Sequence, residues 1–394
     1  MENFHVNCME YIDSNQILDL VYMNVDQPDM IESIKQTTIE GILHTYDMML
    51  STENEDVKQS VSYYVHTYID WTIQTSLQVR QDAERRKQQV LRLKQLKLPE
   101  QRSVEWFAMR RKVLTASSLA AALGQCHYTS REQLILDKVS DKPKPYVSNP
   151  ITEWGVKYEE IATRFYEHLK GVTIVEFGLI GHPHFPIFGA SPDGICSETS
   201  PPDLVGRMLE IKCPPKRKFT KSVPKNYMYQ MQGQLECCDL DECDFLQVKL
   251  EEYDTIEEYK QDTNNKPGQT DKGLPKGCVV TYRELFSDKF CYLYPLLYQT
   301  DEDYQRWESQ QRSWIQDENK EYVETKWFRI ERYECTLVKR DRNLWNDVMP
   351  QIIRFWEDVE RYRQEGVQEL QTKVESKRYK KPVTFIDTKE CMID

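Results

Sequence analysis

The sequence predicts an α/β protein: a central mixed β-sheet flanked by helices, preceded by an all-helical N-terminal region. Three observations predict it. Apolar residues recur at helical spacing up to Pro99 with few breakers. Beyond Pro99, helix start and stop signals alternate with short strand-like runs. Polar turns rich in proline and glycine separate those runs.

In the first region Ile31, Ile34, Ile39, Ile42 and Leu43 fall near helical spacing, and Pro28 or Asp29 opens the segment. The pattern continues over 57–98. Its last part carries Arg85, Arg86, Lys87, Arg92, Lys94 and Lys97, read as a solvated helix face in preference to a DNA contact. Further on, the hydroxyls of Thr115, Ser117 and Ser118 precede an Ala/Leu run that Gly124 closes, as a helix requires. A second helix is expected from Trp154 to Lys170, with Trp154, Tyr158, Ile161, Ala162, Phe165 and Leu169 on one face and Gly171 behind.

Strands are expected over 172–180, around 188–196 and 207–213, and over 245–250, with a polar turn at 197–202. A helix beginning near Pro224 carries Tyr227, Gln230, Met231, Gln234 and Leu235. The Gly-, Pro-, Asn- and Lys-rich stretch 262–276 reads as a surface loop or an insertion. A last amphipathic helix spans 345–363. The expected division is a helical region 1–100, a main domain 101–365 with a loop or insertion at about 255–285, and a basic tail 366–394.

The bulk composition narrows the class. Hydrophobic residues make up 39% of the chain, a globular proportion, and no apolar run is long enough to span a bilayer. The start lacks the order of a secretory signal. A soluble, intracellular protein of the cytoplasm or nucleus is expected. The 11 cysteines contain no Cys-x-x-Cys pair and read as reduced thiols, and His182 and His184 as ordinary loop residues. A net charge of −12 argues against indiscriminate coating of nucleic acid, but not against a local basic surface facing phosphates.

The chemistry is concentrated in Gly189-Ala190-Ser191-Pro192-Asp193-Gly194 and Leu209-Glu210-Ile211-Lys212-Cys213. Strand alternation sets Glu210 and Lys212 on one side and Leu209, Ile211 and Cys213 on the other. Asp193, at hairpin distance, supplies a second carboxylate. Two carboxylates with a backbone carbonyl suit magnesium better than zinc. Such an ion polarises a phosphate oxygen, and Lys212 beside it orients or deprotonates the attacking water. Taken alone, Glu-x-Lys is better explained by a strand-edge salt bridge. The preceding Ser-Pro-Asp-Gly shifts the balance.

Asp193 with Glu210-Ile211-Lys212 resembles the PD-(D/E)XK nuclease signature, whose core is restriction-endonuclease-like. Trp106, Arg110 and Thr115-Ala116-Ser117, then Trp154-Gly155 with Tyr158-Glu159, then 227–232, resemble the YqaJ-like viral recombinase and lambda-type exonuclease branch. The likeness covers roughly 103–250, with a weaker echo from Arg340 to Trp356. It implies Asp193, Glu210 and the carbonyl of Ile211 as metal ligands, Lys212 as catalytic, and Glu159 near a second metal position. It also implies that Gln230 orients the lysine or water, and that Arg110 and Ser117 bind a 5′ phosphate. A helix start at Ser117 supports the last assignment independently.

The function expected is a magnesium-dependent 5′-to-3′ exonuclease on double-stranded DNA ends, with manganese as a substitute ion, generating single strand for recombination, repair or viral genome processing. Lys216, Arg217 and Lys218, directly after the catalytic strand, are expected to track phosphates. Family analogy adds a ring trimer and a single-strand annealing partner, and no membrane. The alternatives are an endonuclease or RNA-degrading nuclease at the same site, or a scaffold with a decayed site.

Overall fold

The computed structural model describes residues 4–50, 55–140, 149–216, 219 and 222–380. The chain divides into two units, Met1–Arg86 and Lys87–Asp394.

The first unit is all helical: α1 (Phe4–Ser14), α2 (Ile17–Met23), α3 (Pro28–Leu50) and the part of α4 (Glu55–Lys94) up to Arg86. Pro28 takes the first helical position of α3 and Asp29 lies in its first turn, both favourable there. Val61, Val65 and Ile69 lie four residues apart on α4. They are buried in one core with Cys8, Ile12, Val21, Ile39 and Ile42. Each such aliphatic burial is worth about 1.5–3 kcal/mol. Acidic residues outnumber basic ones about three to one here, so most of the chain's −12 belongs to this unit. The second unit is close to neutral, which removes the apparent conflict between an acidic protein and a phosphate-facing surface.

In the second unit seven strands lie in the spatial order β2 (Ile174–Val175), β5 (Gly194–Cys196), β6 (Met208–Lys212), β7 (Glu242–Glu252), β10 (Glu321–Lys339), β8 (Lys276–Arg283) and β9 (Phe290–Leu293). Within this mixed sheet only β6 and β7 pair in parallel, joined through helix α9 (Lys225–Cys238). A smaller sheet holds β1 (Leu114–Thr115), β4 (Phe188–Ala190) and β3 (Ile180–Gly181) in the order β1-β4-β3.

Both faces of the large sheet are covered. Met208, Cys243 and Phe245 join a core with Met231 and Leu235 of α9 and with Ile352 and Phe355 of α12 (Arg342–Glu365). Leu209, Ile211, Leu246 and Val248 join a second core with Tyr158, Ile161 and Phe165 of α8 (Pro150–Lys170). α8 starts on the Asn149 side chain, which accepts the N–H of Ile151 at 2.9 Å, and stops at Gly171, whose φ of 63° suits glycine.

Several expected elements differ. The strand expected over 172–180 is two short pieces, β2 and β3, in different sheets. The run 188–196 is also split, because Pro192 interrupts the ladder between β4 and β5. Within the expected insertion lie α10 (Ile256–Gln261) and the whole of β8, whose Cys278, Val279 and Val280 are buried. The described part of the expected basic tail, 366–380, is largely helix, α13 (Gln368–Lys380), with Leu370 and Val374 buried four residues apart. The charged residues around that pair hid it. α11 (Asp301–Asp317), β9 and the 19-residue β10 were not anticipated.

Candidate functional site

The β5–β6 hairpin places Gly194 opposite Leu209, which sets Asp193 beside Glu210 and Ile211. The Ile211 N–H donates to Asp193 Oδ2 at 2.7 Å. Asp193 Oδ1 accepts no hydrogen bond from the described residues. Alternation along β6 sends Leu209 and Ile211 into the α8 core and turns Glu210 towards α9.

Glu210 is 0% exposed. Such a carboxylate must be surrounded by donors. Gln230 Nε2 donates to Oε1 at 2.7 Å, Gln234 Nε2 donates to Oε2 at 2.7 Å, and Lys212 Nζ also donates to Oε1. Gln230 and Gln234 stand one turn apart on α9 and close over the carboxylate. α9 gets near enough because of Gly233, where a Cβ would come within 2.8 Å of the Phe188 ring.

Burial, and then the Glu210 charge, hold the Asp193 carboxyl well above the usual carboxylate range. Burial alone would lower Lys212, but the Glu210 and Asp193 carboxylates raise it above its ordinary value. Lys212 is therefore a protonated donor in this state.

Glu159 lies well inside α8, since the helix begins at Pro150 and not near Trp154. The N-terminal dipole does not explain it. Its pair is Arg102, whose Nη2 lies 3.2 Å from Oε1 and 3.4 Å from Oε2.

A second cluster lies on α5 (Val104–Lys112) and the turn after it. Arg110 Nη2 donates to Ser117 Oγ at 3.2 Å, and its guanidinium stacks 4.3 Å from the Trp106 ring centroid. Thr115 Oγ1 lies 3.2 Å from Ser117 Oγ. Burial pushes Arg110 down to about 10, still protonated at neutral pH. The helix start expected at Ser117 is only a 3₁₀ turn, Ala116–Ser118, and a four-residue helix, α6 (Leu119–Ala122). So short a helix has little dipole, and the anion affinity rests on the guanidinium and hydroxyls.

The two clusters share one cavity of about 690 Å³, lined by Arg110, Ser117, Glu159, Asp193, Lys212 and Gln230 together with Arg102, Gln234 and Lys216. Arg217 and Lys218 lie outside the described residues. His182 and His184 line no part of it. His182 is buried and its Nδ1 accepts the N–H groups of His184 and Phe185, a structural role. The ten described cysteines form no disulfide.

The donor set fits a hard cation in part. No three carboxylate, imidazole or thiolate groups among the described residues converge tightly enough to hold a metal by themselves. Asp193 has an unengaged oxygen, and Gln234 Oε1 is buried without a hydrogen-bond partner beside it. Asp193, Glu210 and the Ile211 carbonyl would leave several positions for water or phosphate oxygens, as magnesium prefers.

Several site residues escaped sequence reasoning. The Gln230/Gln234 repeat, at i and i+4, was the available signal for Gln234. Trp106 Nε1 donates to Ser191 Oγ at 3.2 Å, bracing the turn that carries Asp193. Lys138 Nζ donates to the carbonyls of Arg110 and Val113 at 2.6 Å each, fixing the end of α5. Nothing in the sequence marked Lys138.

Residues 105–241 match the model of the YqaJ-like viral recombinase domain. The match covers about a third of the chain and lies within the second unit. The matched residues include Arg110, Ser117, Glu159, Asp193, Glu210, Lys212 and Gln230, and thus both clusters. An uncharacterized protein of Acanthamoeba polyphaga mimivirus is 33% identical over 294 residues, covering 67% of this chain and 53% of that protein. A protein of African swine fever virus is 28% identical over 162 residues, covering 35% of this chain and 46% of that protein. The chain therefore spans about half the length of the curated relatives it matches. Among solved structures, LHK-Exo in complex with dAMP is 21% identical with a TM-score of 0.39, covering 68% of this chain and 99% of that one. LHK-Exo, an alkaline exonuclease from Laribacter hongkongensis, is 20% identical with a TM-score of 0.39 in a second structure, covering 70% and 99%. No helix among the described residues is long and apolar enough to cross a membrane.

Proposed function

We propose that the YqaJ-like domain is a magnesium-dependent nuclease that degrades double-stranded DNA from its ends, in the 5′-to-3′ direction. The observation that carries this reading is the single cavity joining Arg110 and Ser117 to Asp193 and Lys212, with the buried Glu210 accepting from Lys212. Magnesium, held by Asp193, Glu210 and the Ile211 carbonyl and replaceable by manganese, would supply Lewis acidity at a phosphate oxygen.

The remaining work falls to side chains. Arg110, Ser117 and Thr115 bind the terminal 5′ phosphate, which carries more negative charge than an internal diester. Holding that end orients the next phosphate at the carboxylates, a gain in effective concentration more than in affinity. Lys212 donates to the charge that builds on that phosphate. Gln230 and Gln234 keep Glu210 fixed during the reaction.

The test uses end-labelled linear duplex, closed circular duplex and RNA, each with magnesium and with a chelator. Cleavage of linear duplex alone, lost with chelator and in Asp193→Ala, Glu210→Ala and Lys212→Ala, is the expected result. Nicking of closed circles would make the enzyme an endonuclease. Preference for RNA would move the substrate class.

A further inference from the structure

Arg102 sits where the backbone favours glycine. Its φ of 66° lies in the left-handed region, unfavourable for any residue with a Cβ. Its neighbours hold it there. Gln101 Nε2 donates to the carbonyl of Phe177 at 2.7 Å and to that of Pro192 at 3.4 Å. Ser103 caps α5 by accepting the N–H of Trp106 at 3.1 Å. The segment is thus tied to the turn that carries Asp193, and a strained residue at such a place is worth retaining only for its side chain.

That side chain lines the cavity and is loosely satisfied. A single nitrogen, Nη2, reaches both oxygens of Glu159, and the two side chains are 41% and 37% exposed. A strong Arg–carboxylate pair uses two nitrogens at about 2.7–2.9 Å. Nε and Nη1 of Arg102 donate to no described residue, so most of the planar fork is open. An open fork of this kind matches a phosphate group. It is also separate from Arg110, which lies against Ser117 and the Trp106 ring.

We propose that Arg102 binds a phosphate of the DNA strand entering the cavity, exchanging Glu159 for that phosphate. The exchange frees the Glu159 carboxylate only when substrate is present. It rests on the reading of the cavity as a DNA site.

The test measures equilibrium binding of a 5′-phosphorylated duplex to the full-length protein, by fluorescence anisotropy, with chelator present and over a range of salt. Arg102→Gly should fold with at least wild-type resistance to urea, because glycine adopts this φ without strain. It should bind about tenfold more weakly, with the slope of log affinity against log salt reduced by about 0.9. Arg102→Lys should keep the wild-type slope. Glu159→Gln should bind several-fold more tightly by releasing the guanidinium, and the double variant should lose that gain. Wild-type affinity and slope in Arg102→Gly would overturn the assignment, as would weaker binding with an unchanged slope. Full persistence of the Glu159→Gln gain in the double variant would reduce it to local charge and also overturn it. Failure of the wild-type protein to bind duplex would remove the DNA reading of the cavity together with Arg102. Normal wild-type binding with an unchanged Arg102→Gly removes Arg102 alone.

Discussion

Asp193→Asn should make the metal-free protein more stable while abolishing cleavage. Two carboxylates, Asp193 and Glu210, share one ammonium, Lys212, so one negative charge in the cluster lacks a partner there. Asparagine keeps an acceptor for the Ile211 N–H, now at 2.7 Å from Oδ2, and removes the repulsion on Glu210. The sign follows from the raised carboxyl of Asp193: the folded state holds this proton more tightly than the unfolded state does. Its contribution to stability is therefore complete at pH values below the usual carboxylate range and is lost as pH rises through the folded value. The variant cannot lose it. Near pH 8 the gain should be about 1–2 kcal/mol, the size typical when a destabilised active site is relieved. Urea unfolding with chelator, near pH 8 and in mild acid, measures it, and the difference should shrink as pH falls. Adding magnesium at about 100 times its dissociation constant should stabilise the wild type by about 2.7 kcal/mol and the variant far less. Equal or lower stability of the variant in chelator near pH 8, or equal magnesium stabilisation of both, would refute the reasoning.

Gln234→Leu removes a donor from the buried Glu210 and should cost about 1.5–3 kcal/mol of unfolding free energy; an unchanged urea midpoint would show that Oε2 finds another donor. Burial holds His182 down to about 4 against an ordinary 6.5, so the unfolded chain takes up its proton first and stability falls as pH drops between those values. His182→Gln should flatten that part of the stability profile, and an unaltered profile would exclude His182 as its source. Reversing Lys216, Arg217 and Lys218 to Glu should weaken duplex binding and lower the salt slope; wild-type values for both would leave that run a solvated loop.

The grouping of the candidate site residues was more legible than the bounds of several strands and helices. Asp193, Glu210 and Lys212 could be placed together because strand alternation and hairpin spacing are local rules, and they give the face of each side chain directly. Gln230 came from the family resemblance, and its partner among the described residues is Glu210, which also accepts from Lys212. Gln234, Lys138 and Arg102 act across 24, 25 or 28, and 57 residues of sequence, distances over which no local pattern carries information. Similarly, β10 has alternating burial over only part of its length, and it changes partner from β8 to β7 along the way. A strand of that kind carries no single period to detect. The helix at 368–380 was hidden because its two buried apolar residues are outnumbered by charge.

The central claim is that one cavity both grips a 5′ phosphate and cuts beside it. The direct measurement is the initial rate on linear duplex with 5′-phosphate ends against the same duplex with 5′-hydroxyl ends, for wild type and Arg110→Ala side by side. The wild type should cut the phosphorylated ends faster. Arg110→Ala should lose that preference while keeping slow, magnesium-dependent cleavage, since it leaves Asp193, Glu210 and Lys212 untouched. Equal wild-type rates on the two ends, or an undiminished preference in Arg110→Ala, would contradict the account.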